Sequence, residues 1–158
     1  MVISKLSMLE LNNQKFNHLK IHTQYSICEG AIKIENLKNY CKENKIPCLG
    51  ISDTSNLCGA LEFSENISKV GTQPIIGTQI YFRFEDTTGL LPLIALNEKG
   101  YKRIIELSSR SYLENDALSD PHLDIKELLN DTDGIVLLSG TIQGLFGKLF
   151  EKGRLNEI

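Results

Sequence analysis

Hydrophobic and polar positions along the first half of the chain switch between the period of a strand and that of a helix. Residues 18–22 alternate as a strand, and apolar side chains then recur at helical spacing over 34–44. A short apolar run at 48–51 predicts a buried strand, and a second helix follows over 59–70. Gly71 stands where a helix C-terminus favours glycine.

The second half of the chain continues the same alternation. Residues 75–84 and 91–95 predict two strands, and the polar segment 85–89 between them has the length of a hairpin connection. The remaining predicted elements are a helix through 101–112, a short helix capped by Asp124, a strand at 135–138 and a helix at 143–152.

Strands that alternate with helices in this way favour an α/β protein with a largely parallel sheet. Such sheets place functional side chains at the carboxyl ends of their strands. Three polar residues stand at or near these ends, namely His22, Asp53 and Gln79, and Glu29 follows the first strand closely. These four residues are the first candidates for a functional site.

Composition narrows the function classes. The chain has 158 residues, of which 41% are hydrophobic and 23% charged, so disorder and a fibrous fold are excluded. Its formal net charge is -3, which leaves no general excess of positive charge to hold a phosphate backbone. No Gly/Ser/Pro-rich linker divides the chain, so we expect one folding unit that does not bind nucleic acid by itself.

Targeting signals and cysteine usage point to the cytoplasm. The apolar stretch 90–96 is far shorter than a membrane span, and residues 1–16 carry no compact apolar block of the kind that directs export. The four cysteines have irregular spacing and apolar neighbours, which predicts buried, reduced thiols. They are Cys28, Cys41, Cys48 and Cys58.

The histidines at 18 and 22 do not form a chelating pair on a strand. With a rise of roughly 3.3 Å per residue, positions four apart are separated by about 13 Å, too far for both to reach one ion. The pair at strand spacing is Lys20 and His22. A lysine ammonium has three donors and no lone pair, so it repels the cation that it would have to bind.

Five ordered motifs resemble one known family. The run Phe-Asn-His-Leu-Lys-Ile-His-Thr-Gln-Tyr-Ser-Ile-Cys-Glu-Gly-Ala at 16–31 resembles the opening motif of the polymerase and histidinol phosphatase (PHP) domain found at the N-terminus of bacterial DNA polymerase III alpha subunits. Residues 47–60 and 74–79 are similar to its second and third motifs, and 97–101 and 137–140 complete the series. The resemblance runs from Phe16 to about Gly153.

The resemblance implies a fold and a domain organisation. The family's fold is a distorted, TIM-like barrel of parallel strands and helices, and this chain would hold only its N-terminal part, with about five strands. We therefore expect an N-terminal extension at 1–15 and a partial PHP domain at 16–158, with the barrel not completed within the chain. The last predicted strand would then leave an unpaired edge.

The resemblance also implies a degenerate metal site. Family members that bind metal hold a cluster of ions at the carboxyl ends of the strands, through ligands that this chain alters. Lys20 replaces the first histidine of His-x-His, Thr54 a histidine, Gln79 a glutamate and Thr141 a cysteine, and Leu90 aligns with a further histidine. The vestigial metal-site positions are Lys20, His22, Glu29, Asp53, Thr54, Gln79 and Thr141.

Each of these substitutions removes a good metal donor, so we expect the cluster to be lost, with no cofactor and no catalytic residue. Zinc, manganese or magnesium would bind only if His22, Glu29 and Asp53 form a residual site. One hypothesis is that the Lys20 ammonium pairs with Glu29 or Asp53 and supplies the positive charge that a metal gives elsewhere.

The function that the resemblance implies is that of the N-terminal segment of a replicative polymerase, acting as a structural and docking module. Its partners would be the remainder of the alpha subunit and the proofreading exonuclease subunit, with DNA reached only through the full replicase. The chain lacks the polymerase active site, so we expect it to be inactive alone. Two alternatives stay open: a free-standing metal-dependent phosphoesterase, and a truncated product with no independent activity.

Overall fold

A computed structural model of the chain describes residues 16–116 and 118–157. The predicted extension at 1–15 lies outside the described residues. A 3-10 turn, Leu155–Glu157, follows the last helix. The helices and strands occur in the order α1 (Ile34–Asn44), β1 (Cys48–Thr54), α2 (Ala60–Ser68), β2 (Gln73–Phe84), β3 (Thr87–Ala95), α3 (Glu98–Leu113), β4 (Leu123–Asp124), α4 (Ile125–Leu129), β5 (Ile135–Leu137) and α5 (Leu145–Glu151).

The α/β class with about five strands is confirmed, and four of the five strands run in one direction, with β3 alone reversed. The strands lie in the order β1-β2-β3-β5, and β4 pairs with the end of β2. β1 and β4 run parallel to β2, whereas β3 is antiparallel to both β2 and β5. The cause is a turn of only two residues, Glu85 and Asp86, which returns the chain directly into β3. Glu85 adopts a left-handed conformation, with φ 51°, to make this turn.

The strand predicted at 18–22 is only an isolated bridge. Ile21 bridges Ile51 in the parallel direction, and the amide of Ser52 donates to the carbonyl of Ile21 at 2.8 Å. The amide of Gly50 donates to the carbonyl of His18 at 2.7 Å. This segment therefore runs along the free edge of β1 and brings its polar side chains to the sheet without forming a regular ladder.

All five helices contribute to two apolar clusters on one face of the sheet. The first cluster packs α3, α4 and α5 against β2 and β3, and its largest fully buried side chain is Phe82. The second packs α1 and α2 against β1 around Phe63. The register places Leu49 and Ile51 of β1 on the same face as Ile80 and Phe82 of β2.

The opposite face of the sheet carries no helix among the described residues. Its side chains come from alternate positions of the same strands and include Ser52, Thr54 and Gln79. A cavity of about 490 Å³ opens toward one end of this face, beside Ile75, Ile94 and Val136. In the described part of the chain, β5 pairs only with β3, so its other edge is free.

Two further predictions concern single residues. Asp124 caps α4 as predicted, because its side chain accepts a hydrogen bond from the amide of Lys126. The expectation of four buried thiols is wrong, since Cys28 and Cys58 are exposed and only Cys41 is fully buried. Both exposed cysteines lie in loops, where apolar sequence neighbours do not guarantee burial.

None of the helices within the described ranges is long and apolar enough to cross a membrane.

Candidate functional site

The predicted positions around residues 53 and 54 come together at the carboxyl end of β1. Thr54 ends this strand and lies in register with Gln79 of β2, so both side chains occupy the helix-free face. Asp53 precedes Thr54 and therefore points to the opposite face. The loop that follows residue 22 folds over this strand end and brings Glu29 to it.

Asp53 is an almost completely buried carboxylate, with 1% of its surface exposed. One carboxylate oxygen, Oδ1, accepts from the Thr23 amide at 2.6 Å and from the Ser26 hydroxyl at 2.7 Å. The other, Oδ2, accepts from the Thr23 hydroxyl at 2.7 Å. Three neutral donors thus satisfy this charge, and they attach the loop of residues 23–26 to β1.

The close approach of this loop requires a glycine in front of α2. A Cβ on Gly59 would lie 2.7 Å from the Tyr25 ring and 3.3 Å from Asp53 Oδ2. The Tyr25 hydroxyl in turn donates to Glu62 on α2 at 2.6 Å, and this hydrogen bond raises the pKa of Tyr25. The loop is therefore fixed to both β1 and α2.

A second network occupies the helix-free face. The Thr54 hydroxyl donates to Glu29, and the Gln79 side-chain amide donates to the Thr54 oxygen at 2.7 Å. A threonine hydroxyl has one proton, which it gives here to a carboxylate that can only accept. The oxygen of Thr54 must then accept from Gln79, and this fixes the orientation of the amide group.

His22 lies at the edge of both networks. Its Nδ1 atom is 3.4 Å from the Ser26 hydroxyl and 3.9 Å from the Glu29 carboxylate. The Ser26 hydroxyl proton is already donated to Asp53, so any hydrogen bond between Ser26 and His22 must be donated by His22. Serine, histidine and aspartate meet here, but not in the order of a nucleophilic triad, in which the histidine accepts the serine proton. Ser26 is fully buried, so we do not assign it a nucleophilic role.

The ion pair proposed for Lys20 is not formed. Among the described residues, Lys20 makes no ion pair or hydrogen bond with Glu29 or Asp53; neutral donors satisfy Asp53 instead. Thr141 is also separate from the networks, since it is exposed in the loop before α5 and caps the amide of Gln143 at 3.3 Å. The structure therefore unites His22, Glu29, Asp53, Thr54 and Gln79 and leaves Lys20 and Thr141 outside their hydrogen bonds.

Three contributing residues could not be assigned from the sequence. Thr23 and Ser26 supply the donors to Asp53, and the only sequence signal is a pair of hydroxyl residues three apart in a motif. Tyr81 lies two residues beyond Gln79 on the same face of β2. Burial, followed by the negative charges of Glu29 and Asp120, raises the pKa of Tyr81.

The donors at this strand end do not fit a multinuclear metal cluster. Within residues 16–116 and 118–157, no three His, Cys, Asp or Glu side chains are grouped so that they could hold a metal ion. Both oxygens of Asp53 are already hydrogen-bonded, and the position beside Thr54 is occupied by a neutral amide. In this geometry, hydrogen bonds from neutral donors satisfy the Asp53 carboxylate.

Comparisons with known sequences match this chain to one domain family and to one kind of polymerase subunit. The PHP domain family matches residues 18–158. The DNA polymerase III subunit alpha of Caulobacter vibrioides is 36% identical over 95% of this chain, and the chain spans 14% of that protein. The subunit of the same name from Rickettsia felis is 34% identical over 85% of this chain, which spans 11% of that protein.

Solved structures show likeness in fold. A protein of Bifidobacterium adolescentis, proposed to be a metal-dependent phosphoesterase, superposes with a TM-score of 0.50 at 17% identity and covers 63% of this chain and 34% of its own. An amidohydrolase from Chromobacterium violaceum gives a TM-score of 0.50 at 12% identity, over 61% of this chain and 33% of its own. At these identities the likeness concerns the fold alone.

Proposed function

The chain belongs to the PHP domain family, and from this premise we propose that it acts within a DNA polymerase III alpha subunit as a metal-depleted structural and docking module. The observation that carries the proposal is the pair of hydrogen-bond networks at the end of β1. They use Asp53, Thr54 and Gln79 to hold the loop of residues 23–29 against the sheet. The role of these residues is then to support a surface, with no step of catalysis assigned to them.

The side-chain chemistry supports the loss of metal. Lys20 has no lone pair to offer, and a carboxamide such as Gln79 is a neutral donor in place of an anion. Three of the four acceptor sites of the Asp53 carboxylate are already hydrogen-bonded, so only one site, on Oδ2, remains for a metal ion. Of the three residual candidates, Asp53 belongs to the first network, Glu29 belongs to the second, and His22 lies at the edge of both.

The open side of the sheet supports a role within a larger protein. The chain spans only 11% to 14% of the two relatives named above. The free edge of β5 and the apolar cavity beside Ile94 are surfaces that another polypeptide can cover by strand pairing and apolar burial. The remainder of the alpha subunit is the partner that we propose for them.

The finer parts of the proposal follow from the same premise. The module would also contribute to the surface that holds the proofreading exonuclease subunit, in the cytoplasm. It would reach DNA only through the assembled replicase, because its net charge of -3 gives no general attraction for phosphates.

Two measurements test this proposal. The first is the metal content of the chain after purification without chelators, together with hydrolysis of a generic phosphoester. We expect less than stoichiometric zinc, manganese or magnesium and no hydrolysis. Stoichiometric metal with turnover would overturn the proposal and favour a free-standing phosphoesterase.

The second measurement is association in trans. The chain is mixed with the remainder of a DNA polymerase III alpha subunit from the same source, and complex formation is followed by size-exclusion chromatography with light scattering. We expect a one-to-one complex. A matched variant, Val136→Asp beside the cavity, should weaken it, whereas Asp116→Asn on an exposed loop should not. Failure to associate under conditions where both pieces are folded would contradict the docking role.

A further inference from the structure

Two buried hydrogen-bonding oxygens on the helix-free face lack a partner in the described part of the chain. They are the side-chain oxygen of Gln79 and the hydroxyl oxygen of Ser52. Gln79 is 3% exposed and Ser52 is fully buried. A buried polar atom without a partner destabilises the fold, because it loses its hydrogen bonds to water and gains none in return, so native structures rarely leave two on one face.

The unpaired atom of Gln79 must be an acceptor. Its amide nitrogen is committed to Thr54, whose own proton is given to Glu29. The direction of this relay leaves the Gln79 oxygen to accept from outside. The second carboxylate oxygen of Glu29, Oε1, likewise receives no hydrogen bond from the described residues. A group that fits this end of the sheet therefore has to donate several hydrogen bonds.

The charge at this end of the sheet is negative and not balanced locally. Asp53 is held by neutral donors, and in the described ranges neither Asp53 nor Glu29 forms an ion pair with a lysine or arginine. The nearest basic atom to Glu29 is Nδ1 of His22, at 3.9 Å. Burial, and after it the negative charges of Glu29 and Asp120, raise the pKa of Tyr81. A cationic donor gains here from both charge and hydrogen bonding.

We propose that the site on the helix-free face where Gln79, Thr54 and Glu29 are hydrogen-bonded, with Ser52 two positions before Thr54, receives an arginine side chain of the remainder of the polymerase subunit. The proposal rests on the docking role proposed above. A guanidinium group presents five N–H donors in a rigid fork, which suits an amide oxygen and a carboxylate oxygen together. A lysine ammonium carries all its donors on one nitrogen atom, so it suits two separate acceptors less well. A metal ion would find no set of three ligands at this strand end among the described residues. The arginine thus takes the place of the metal as the cation that joins the module to its neighbour.

The probe for this site is the N-ethylguanidinium ion. It is titrated into the full chain at constant ionic strength, and binding is followed by NMR of the side-chain amides. We expect saturable shifts at the Gln79 amide. N-ethylurea, which has a similar shape and no charge, should give no saturable shift. Equal saturation by the cation and by the neutral urea would overturn the inference, since the negative charge of the site would then have no role.

Variants of single residues test whether N-ethylguanidinium binds at this site. Gln79→Met removes the acceptor at similar volume and should weaken N-ethylguanidinium binding about tenfold, the effect of losing one hydrogen bond to a charged group. Because this variant lacks the Gln79 side-chain signal, binding to every variant is followed at the backbone amide of Thr54. Gln73→Met makes the same change at an exposed position of the same strand and should have no effect. Glu29→Gln, at an exposed residue, should weaken binding without unfolding the chain. Equal affinities in Gln79→Met, Glu29→Gln and Gln73→Met would overturn the proposal.

Competition identifies the source of the cation. Adding the remainder of the alpha subunit should displace N-ethylguanidinium and reverse the Gln79 shifts. A complex that forms while the probe stays bound would overturn the arginine assignment and leave the docking function intact. Absence of any complex would instead contradict the docking function. Manganese that competes stoichiometrically with the probe would overturn the inference in favour of a metal site.

Discussion

Replacing Asp53 with alanine is expected to lower the free energy of unfolding by about 3 to 5 kcal/mol. The side chain accepts three hydrogen bonds, from the Thr23 amide, the Thr23 hydroxyl and the Ser26 hydroxyl, and it is 1% exposed. The backbone amide cannot turn away, so it carries a full desolvation cost of about 1 to 3 kcal/mol. The two hydroxyls can rotate toward other acceptors, which makes their individual costs smaller.

Asp53→Asn separates hydrogen bonding from charge. The asparagine oxygen can occupy the Oδ1 position and keep the Thr23 amide and Ser26 hydroxyl bonds. Its amide nitrogen then faces the Thr23 hydroxyl, which rotates to accept. The charge assistance and the acceptor for the Thr23 hydroxyl proton are lost, so we expect a cost of about 1 to 2 kcal/mol, less than for alanine.

The assay is urea unfolding followed by circular dichroism, with linear extrapolation to water. Asp116→Ala and Asp116→Asn are the matched controls, because Asp116 is exposed, and both should remain within about 0.5 kcal/mol of the parent chain. If Asp53→Ala prevents folding, Ser26→Ala tests the same contact with a smaller change. It removes the hydroxyl that donates to Asp53 and that accepts from the Thr54 amide. Asp53→Ala within about 0.5 kcal/mol of Asp116→Ala would refute the anchoring role.

Three further outcomes are expected. Asn97→Ala should cost about 1 kcal/mol in urea unfolding, because the Asn97 side chain accepts from the Gly100 amide and caps α3. Gly100→Ala should cost about 1 to 3 kcal/mol in the same assay, since its Cβ would lie 1.8 Å from the Gly134 carbonyl oxygen; a neutral effect would contradict this close packing. The pKa of Tyr81 is raised by burial and then by nearby carboxylates, so the folded chain holds its proton more tightly than the unfolded chain. The free energy of unfolding should therefore decrease as pH rises from about 10, where Tyr81 ionises in the unfolded chain, through its higher pKa in the folded chain. Tyr81→Phe should reduce this alkaline loss of stability. Tyr25→Phe is the comparison, because a different contact raises the pKa of Tyr25.

Local periodicity determined most of the helices and strands. The helix predicted over 34–44 has these bounds in the structure, because its apolar positions Ile34, Leu37 and Cys41 recur at the helical period and are all buried. The first predicted strand was wrong because alternation alone does not supply a ladder of backbone hydrogen bonds. The largely parallel arrangement holds for β1, β2, β4 and β5. β3 alone runs the other way, because the two-residue turn before it sets its direction.

The sequence by itself determined the chemical types at the candidate site. A lysine at position 20 and an amide at position 79 are poor metal ligands wherever the fold places them, since an ammonium has no lone pair and a carboxamide oxygen carries no charge. The ordered motifs also indicated the PHP family, which the match over residues 18–158 confirmed.

Only the tertiary structure decided what these residues contact. Asp53 meets Thr23 across 30 positions of sequence and Ser26 across 27, and no periodic pattern encodes such a pairing. The same holds for the direction of the Gln79–Thr54–Glu29 relay, which depends on which atom donates at each contact. Hydrogen bonds between distant segments depend on how the loops pack on the sheet, and that packing is a property of the whole fold.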